Sequence, residues 1–192
     1  GNVTVTTQNS GSNGSGDGDI FVNADINKTG TGESTLSLRA ARDIRINSSI
    51  RTNTGKLNLV LIADWDSANA GAVYLFGDAS GLTLDTKGGH VWIGGNGYGT
   101  SLGTATWNGL TVGTGAGNSR SDTLVYEGVN LSKVTVRTAG GDLKIHGISN
   151  RQVSGETRYG VWLRDGTDIQ TGAGQVEVRG TLQEQGGTPG SI

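Results

Sequence analysis

The run Asp64-Trp65-Asp66-Ser67-Ala68-Asn69 carries side-chain oxygens at close spacing, as calcium-binding loops do. Asp64, Asp66 and Asn69 are therefore candidate calcium ligands. The set is incomplete. Ala68 stands where a third ligand belongs, position 69 is not the glycine such a loop needs, and Leu75 replaces a closing bidentate glutamate. Gly16-Asp17-Gly18-Asp19 offers a second acidic pair, similarly incomplete. Aspartate and asparagine also close turns through their own side chains. That simpler role predicts no bound metal and no cofactor.

Acid–base chemistry finds less to work with. Hydrolysis or elimination on a sugar chain needs two carboxylates, or a carboxylate with arginine or lysine, facing one groove. Asp85, Glu127, Asp142, Asp165 and Asp168 are scattered among turns, and spacing alone brings no two together. His90 and His146 flank short apolar triplets without an evident metal partner. The absence of cysteine removes disulfides, thiolate catalysis and zinc–thiolate sites. No nucleophile elbow or phosphate-binding loop stands out among the 35 glycines. These residues predict a protein that is not an enzyme.

The elements that position these residues are short and repetitive. Ile20-Phe21-Val22, Leu36-Ser37-Leu38, Ile44-Arg45-Ile46, Val73-Tyr74-Leu75, Leu82-Thr83-Leu84 and Val91-Trp92-Ile93 share an apolar–x–apolar form. Val134-Thr135-Val136, Leu143-Lys144-Ile145, Val161-Trp162-Leu163 and Val176-Glu177-Val178 continue it. Each is a short strand whose ends face one way and whose middle faces the other. Many such strands separated by glycine-rich turns predict an all-β chain: a right-handed parallel β-helix (β-solenoid) of about five coils. Three strands make a coil. The clearest is Val73–Leu75, Leu82–Leu84 and Val91–Ile93, and a fourth is expected to use Leu110–Val112, Val134–Val136 and Leu143–Ile145.

One domain over 1–184 is expected, with irregular loops near 8–19, 94–108 and 113–122 and a flexible tail at 185–192. Inward-facing aliphatics would form the core, so Ile46→Asp or Val91→Asp should unfold the segment while Arg45→Ala should barely matter. The outward middle positions are the candidate ligand-binding surface. Phe21, Arg45, Tyr74, Thr111 and Trp162 are expected on one face, and Trp92 on a second with Ser37, Asn58, Lys144 and Glu177. Exposed rings stack on sugars, and arginine packs over rings. The competing expectation is that loops cover these rings, or that they pack on one another as a stabilising ladder.

Composition narrows the partners. The formal net charge is −2, from 15 basic and 17 acidic residues spread along the chain, which predicts no nucleic-acid partner. The longest apolar run, Leu57 to Ala63, is far short of the roughly 18 residues that cross a bilayer, so no membrane insertion is expected. A chain that begins at Gly1 and contains no methionine is expected to be a piece of a longer or processed protein.

The segments Gly18-Asp19-Ile20-Phe21-Val22, Ser34 to Asn47 and Gly55 to Leu61 resemble the repeats of filamentous-haemagglutinin-like exoproteins. So do Asp64 to Val73 and the Gly-Gly-x-Val-x-Ile-Gly-Gly run ending at Gly95. The resemblance spans roughly Gly18 to Gly180 and is one of repeat style. It implies an internal passenger segment of a large bacterial adhesin exported by two-partner secretion, located outside the cell or on its surface. The implied partners are host-cell or matrix glycans or surface receptors, with an outer-membrane secretion partner for the parent protein. The implied work is attachment or biofilm and cell aggregation. The secretion module of that family, with its Asn-Pro-Asn-Gly element, is not visible here, since Pro189 is the only proline. The alternative is a carbohydrate-active β-helix enzyme, a polysaccharide lyase or hydrolase, with Gly94–Asn108 walling its cleft.

Overall fold

A computed structural model describes residues 1–8, 18–67, 70–96, 104–118, 127–150 and 158–183. The described residues are all-β, without helix, and nearly all the strands belong to three parallel sheets. Sheet I contains Ile20–Val22, Ile44–Ile46, Val73–Phe76, Val129–Ser132 and Val161–Arg164. Sheet II contains Ile26–Lys28, Ile50–Thr52, Leu82–Asp85, Val134–Arg137 and Asp168–Gln170. Sheet III runs from Val3–Thr6 through Ser34–Arg39, Leu57–Ala63, Val91–Gly95 and Leu143–Asn150 to Val176–Gln183. The chain visits the sheets in the cyclic order I, II, III, an arrangement consistent with a parallel β-solenoid.

Register explains why triplets suffice. Ile20, Ile44, Val73, Val129 and Val161 align across sheet I, as do Val22, Ile46, Leu75, Leu131 and Leu163. These columns face inward and meet those of sheets II and III in one continuous aliphatic core. Each buried aliphatic side chain contributes about 1.5–3 kcal/mol. The column loses cover at its last level: Leu163 is 38% exposed, Val176 48% and Val178 43%.

Threonine and glycine shape the corner between sheets II and III. The Thr86 hydroxyl donates to the Gly89 carbonyl (2.7 Å), Thr171 to Gly174 (2.9 Å), and Thr138 to Gly141. Glycine is required because the corners stack backbone on backbone. A β-carbon on Gly141 would lie 2.0 Å from the Gly89 carbonyl oxygen, and one on Gly174 would lie 2.0 Å from that of Gly141.

The fourth level differs from the sequence expectation. Val129–Ser132, not Leu110–Val112, fills its place in sheet I. Leu110–Gly113 instead pairs antiparallel with Thr104–Trp107, inside a region expected to be irregular. Asn108 and Gly109 join them with φ of 48° and 75°, the left-handed pair of a two-residue hairpin turn. After the hairpin the chain returns at Gly117–Asn118, which pairs with Gly147 and Ile148 beyond the end of Val91–Gly95. The expected tail at 185–192 lies outside the described residues.

Candidate functional site

The outer column of sheet I is Phe21, Arg45, Tyr74, Asn130 and Trp162, so Asn130 holds the place expected for Thr111. Thr111 sits exposed on the hairpin. Only part of the column reaches solvent. Phe21 is 50% exposed, whereas Tyr74 is 1% exposed and is corrected from an exposed ring to a buried one. Tyr74 stacks on Phe76 at 6.0 Å, and the Arg45 guanidinium lies 5.6 Å from its ring centre. That guanidinium also lies 5.7 Å from Phe21. Further on, Arg164 sits 4.5 Å over Trp162 and 5.9 Å from Phe76, while Tyr159 leans on Trp162 at 5.1 Å. Arginines are interleaved with rings along the stack, the ladder arrangement, which leaves Phe21, Tyr159 and the half-buried Phe76 and Trp162 as its accessible rings.

The outer face of sheet III is covered over its middle levels. Its column is Ser37, Val60, Trp92, Lys144 and Glu177, with Val60 where Asn58 was expected. Trp92 is 2% exposed, a second correction to the proposed ring surface. The hairpin lies over it, so that Leu110 and Val112 pack with Val60, Ile62 and Trp92, flanked by Trp65 and Trp107. The insert expected to wall a cleft instead seals the sheet.

The turn that follows Leu57–Ala63 holds the calcium candidates. Asp64 is buried with φ of 49°, and its N–H donates to the Arg42 carbonyl (3.1 Å). Trp65 N–H donates to the Ala40 carbonyl (2.8 Å), and Asn96 Nδ2 donates to the Trp65 carbonyl (2.7 Å). Arg39 lies 4.5 Å over the Trp65 ring. Asp66 is half-buried beside it, and Asn69 lies outside the described residues. No group of three or more His, Cys, Asp or Glu placed to hold a metal occurs among the described residues.

Stacking assembles a column of polar residues, His90 and Asp142 among them, that linear spacing hides. Thr35, Asn58, His90, Asp142 and Gln175 align on the outer face of sheet III, two residues before the Lys144 and Glu177 positions. The Asn2, Asn58, His90 and Asp142 side chains each serve the next level. Thr35 N–H donates to Asn2 Oδ1 (2.9 Å), His90 N–H to Asn58 Oδ1 (2.9 Å), Asp142 N–H to His90 Nδ1 (3.0 Å), and Gln175 N–H to Asp142 Oδ1 (2.8 Å). The other corners repeat the relay. Asp43 N–H donates to Asp19 Oδ1 and Ala72 N–H to Asp43 Oδ1, both 3.0 Å. Ser49 N–H donates to Asp25 Oδ1 (2.9 Å) and Thr83 N–H to Ser49 Oγ (3.0 Å).

Sequence reasoning missed this relay. Its signal was the aspartate directly before Ile20, Ile26, Ile44 and Ile169.

Two carboxylates, Asp142 and Glu177, lie on adjacent strands near His146 and Lys144. Glu177 is bound by Lys144 Nζ (2.9 Å) and His146 Nε2 (2.7 Å). The Gln175 N–H, with the Asn108 amide and the nearby His90, holds the Asp142 carboxyl below the usual carboxylate range against a smaller opposing effect of burial. Lys144 first and His146 second hold Glu177 below it too. Both are therefore kept ionised, whereas carboxylate-pair hydrolysis needs one member kept protonated.

No protein-family model, curated protein or solved structure matches this chain.

Proposed function

We propose that this chain is a right-handed parallel β-helix of about five coils, working as a structural and adhesive segment of a secreted or surface-exposed bacterial adhesin. Its role is attachment or biofilm and cell aggregation, through host-cell or matrix glycans or surface receptors. The parent protein reaches the surface with an outer-membrane secretion partner, as the resemblance to filamentous-haemagglutinin-like exoproteins implies. The observation that carries this reading is the relay: Asp19, Asp25, Asp43, His90 and Asp142 each accept a backbone N–H from the next level. Groups that an enzyme would commit to a substrate are here committed to holding the stack.

Contact with glycans falls to the two accessible ends of the ring–cation ladder, Phe21 at the first level and Tyr159 with Trp162 at the last, because Tyr74 and Trp92 are buried. A glycan array run beside a polysaccharide-cleavage assay tests the proposal. Retention on glycans that falls at least tenfold in Phe21→Ala or Trp162→Ala, with no cleavage, is the expected result. Cleavage of an acidic polysaccharide that disappears in Glu177→Gln would replace it with the enzyme reading.

A further inference from the structure

The hairpin Thr104–Trp107/Leu110–Gly113 is held at its tip by a hydrogen-bond arrangement that has a second solution. Asn108 Nδ2 donates to Asp142 Oδ2 (2.7 Å) and to His90 Nδ1 (3.1 Å), while the Trp107 ring meets His90 edge-on at 5.7 Å. Both partners of the Asn108 amide accept, so its amino group must face them. Asp142 N–H donates to the same His90 nitrogen. Two donors thus point at Nδ1, which must carry no proton, and the imidazole proton resides on Nε2.

His90 Nδ1 also lies 3.7 Å from Asp142 Oδ2, the oxygen that Asn108 now occupies. A proton arriving at Nδ1 turns this acceptor into a donor. The N–H cannot face two other N–H groups, and the nearest acceptor is Asp142 Oδ2. Forming that ion pair costs the Asn108 amide its contact with Nδ1 and makes it share Oδ2 with the imidazolium, which weakens the hold on the hairpin tip.

The neighbours leave little else to respond. On the preceding strand, Asn58 faces His90 and is itself tied to Glu33 (2.9 Å). Lys56 lies along Gly88, two residues before His90. On the following strand the charged neighbours are Asp142 and, two residues on, Lys144, which is already paired with Glu177. The hairpin brings only Trp107 and Asn108.

We infer that the hairpin is a pH-sensitive strap: protonation of His90 sets the imidazolium in competition with Asn108 for Asp142 and loosens the hairpin tip over the apolar stripe Val60–Ile62–Trp92. The inference does not depend on the adhesive role.

His90→Asn is the informative variant, because Asn58 already performs the same acceptor function one level earlier. It preserves an acceptor for Asp142 N–H and removes the titration. The indole N–H signals of the four tryptophans are followed by NMR from about pH 8 to about pH 5, the span in which an imidazole changes charge. The expected result is that Trp92 and Trp107 move along one titration curve while Trp162 stays fixed, that His90→Asn abolishes the movement, and that His146→Gln retains it. Stationary Trp92 and Trp107 signals would overturn the inference. So would movement that survives in His90→Asn, or a shift of all four signals together.

Discussion

Asp43 shows how a residue is committed in this protein. It is fully buried, its Oδ1 accepts Ala72 N–H at 3.0 Å, and its Oδ2 lies 3.4 Å from Arg45 Nη2. Removing the acceptor strands a buried donor, which costs about 1–3 kcal/mol. Asp43→Ala should therefore lose about that much stability in denaturant titration, and Asp43→Asn, which keeps an oxygen, should lose less. Equal losses would mean the Oδ1 contact does not matter. Arg45 needs revision in the same terms. From the sequence it looked dispensable, but its guanidinium packs near both Phe21 and Tyr74 and pairs with Asp43. A partly exposed cation–π contact contributes about 0.5–1 kcal/mol, so Arg45→Ala should cost roughly 1 kcal/mol, still far less than Ile46→Asp.

At the scale of elements, the alternation of side chains made the strands legible and the loops misleading. Val73-Tyr74-Leu75 shows its inward and outward sides directly, because strand period is local. Nothing local says what lies over an outward position, so Tyr74 and Trp92 looked exposed. The hairpin is legible too. Asn108-Gly109 between Trp107 and Leu110 is a strong two-residue turn signal, but Leu110-Thr111-Val112 also fits the coil repeat, and the two signals compete. The true fourth strand, Val129–Ser132, carries the same alternation in Val129-Asn130-Leu131. Lys144 and Glu177 were expected on one face and do pair, whereas the His90–Asp142 contact was invisible because 52 residues separate partners that parallel stacking brings together. The stacked corners make a sharp prediction. Gly141→Ala forces a β-carbon onto the Gly89 carbonyl and should cost about 1–3 kcal/mol or more. Gly30→Ala, with open space around it, should be within about 0.5 kcal/mol of the parent.

The whole molecule joins these local contacts into one stack whose charge state matters in acid. Asp142 and Glu177 both have carboxyls held below the usual range. Their folded-state pKa values lie below the unfolded ones, so their contribution is complete above the ordinary carboxylate range of about 4. It is lost as pH falls through the depressed folded values. Urea unfolding at successive pH values should show stability dropping in that acid window, with a shallower drop in Asp142→Asn. An unchanged slope would separate Asp142 from acid unfolding.

The account rests on levels that stack in the stated register, and a chain without cysteine allows a clean test. Asn27 is paired with Arg51, and Arg51 with Asp85, on adjacent strands of sheet II. Adjacent parallel strands lie about 4.8 Å apart, within the roughly 4.4–6.8 Å that a disulfide spans; two levels apart is about twice that. Cysteines are introduced pairwise at 27 and 51, at 51 and 85, and at 27 and 85, and the rate of disulfide closure is measured under mild oxidation. Rapid closure of the first two pairs, with the third remaining reduced, is the predicted result. Closure of the third pair as fast as the others, or failure of both adjacent pairs, would contradict the stacked architecture.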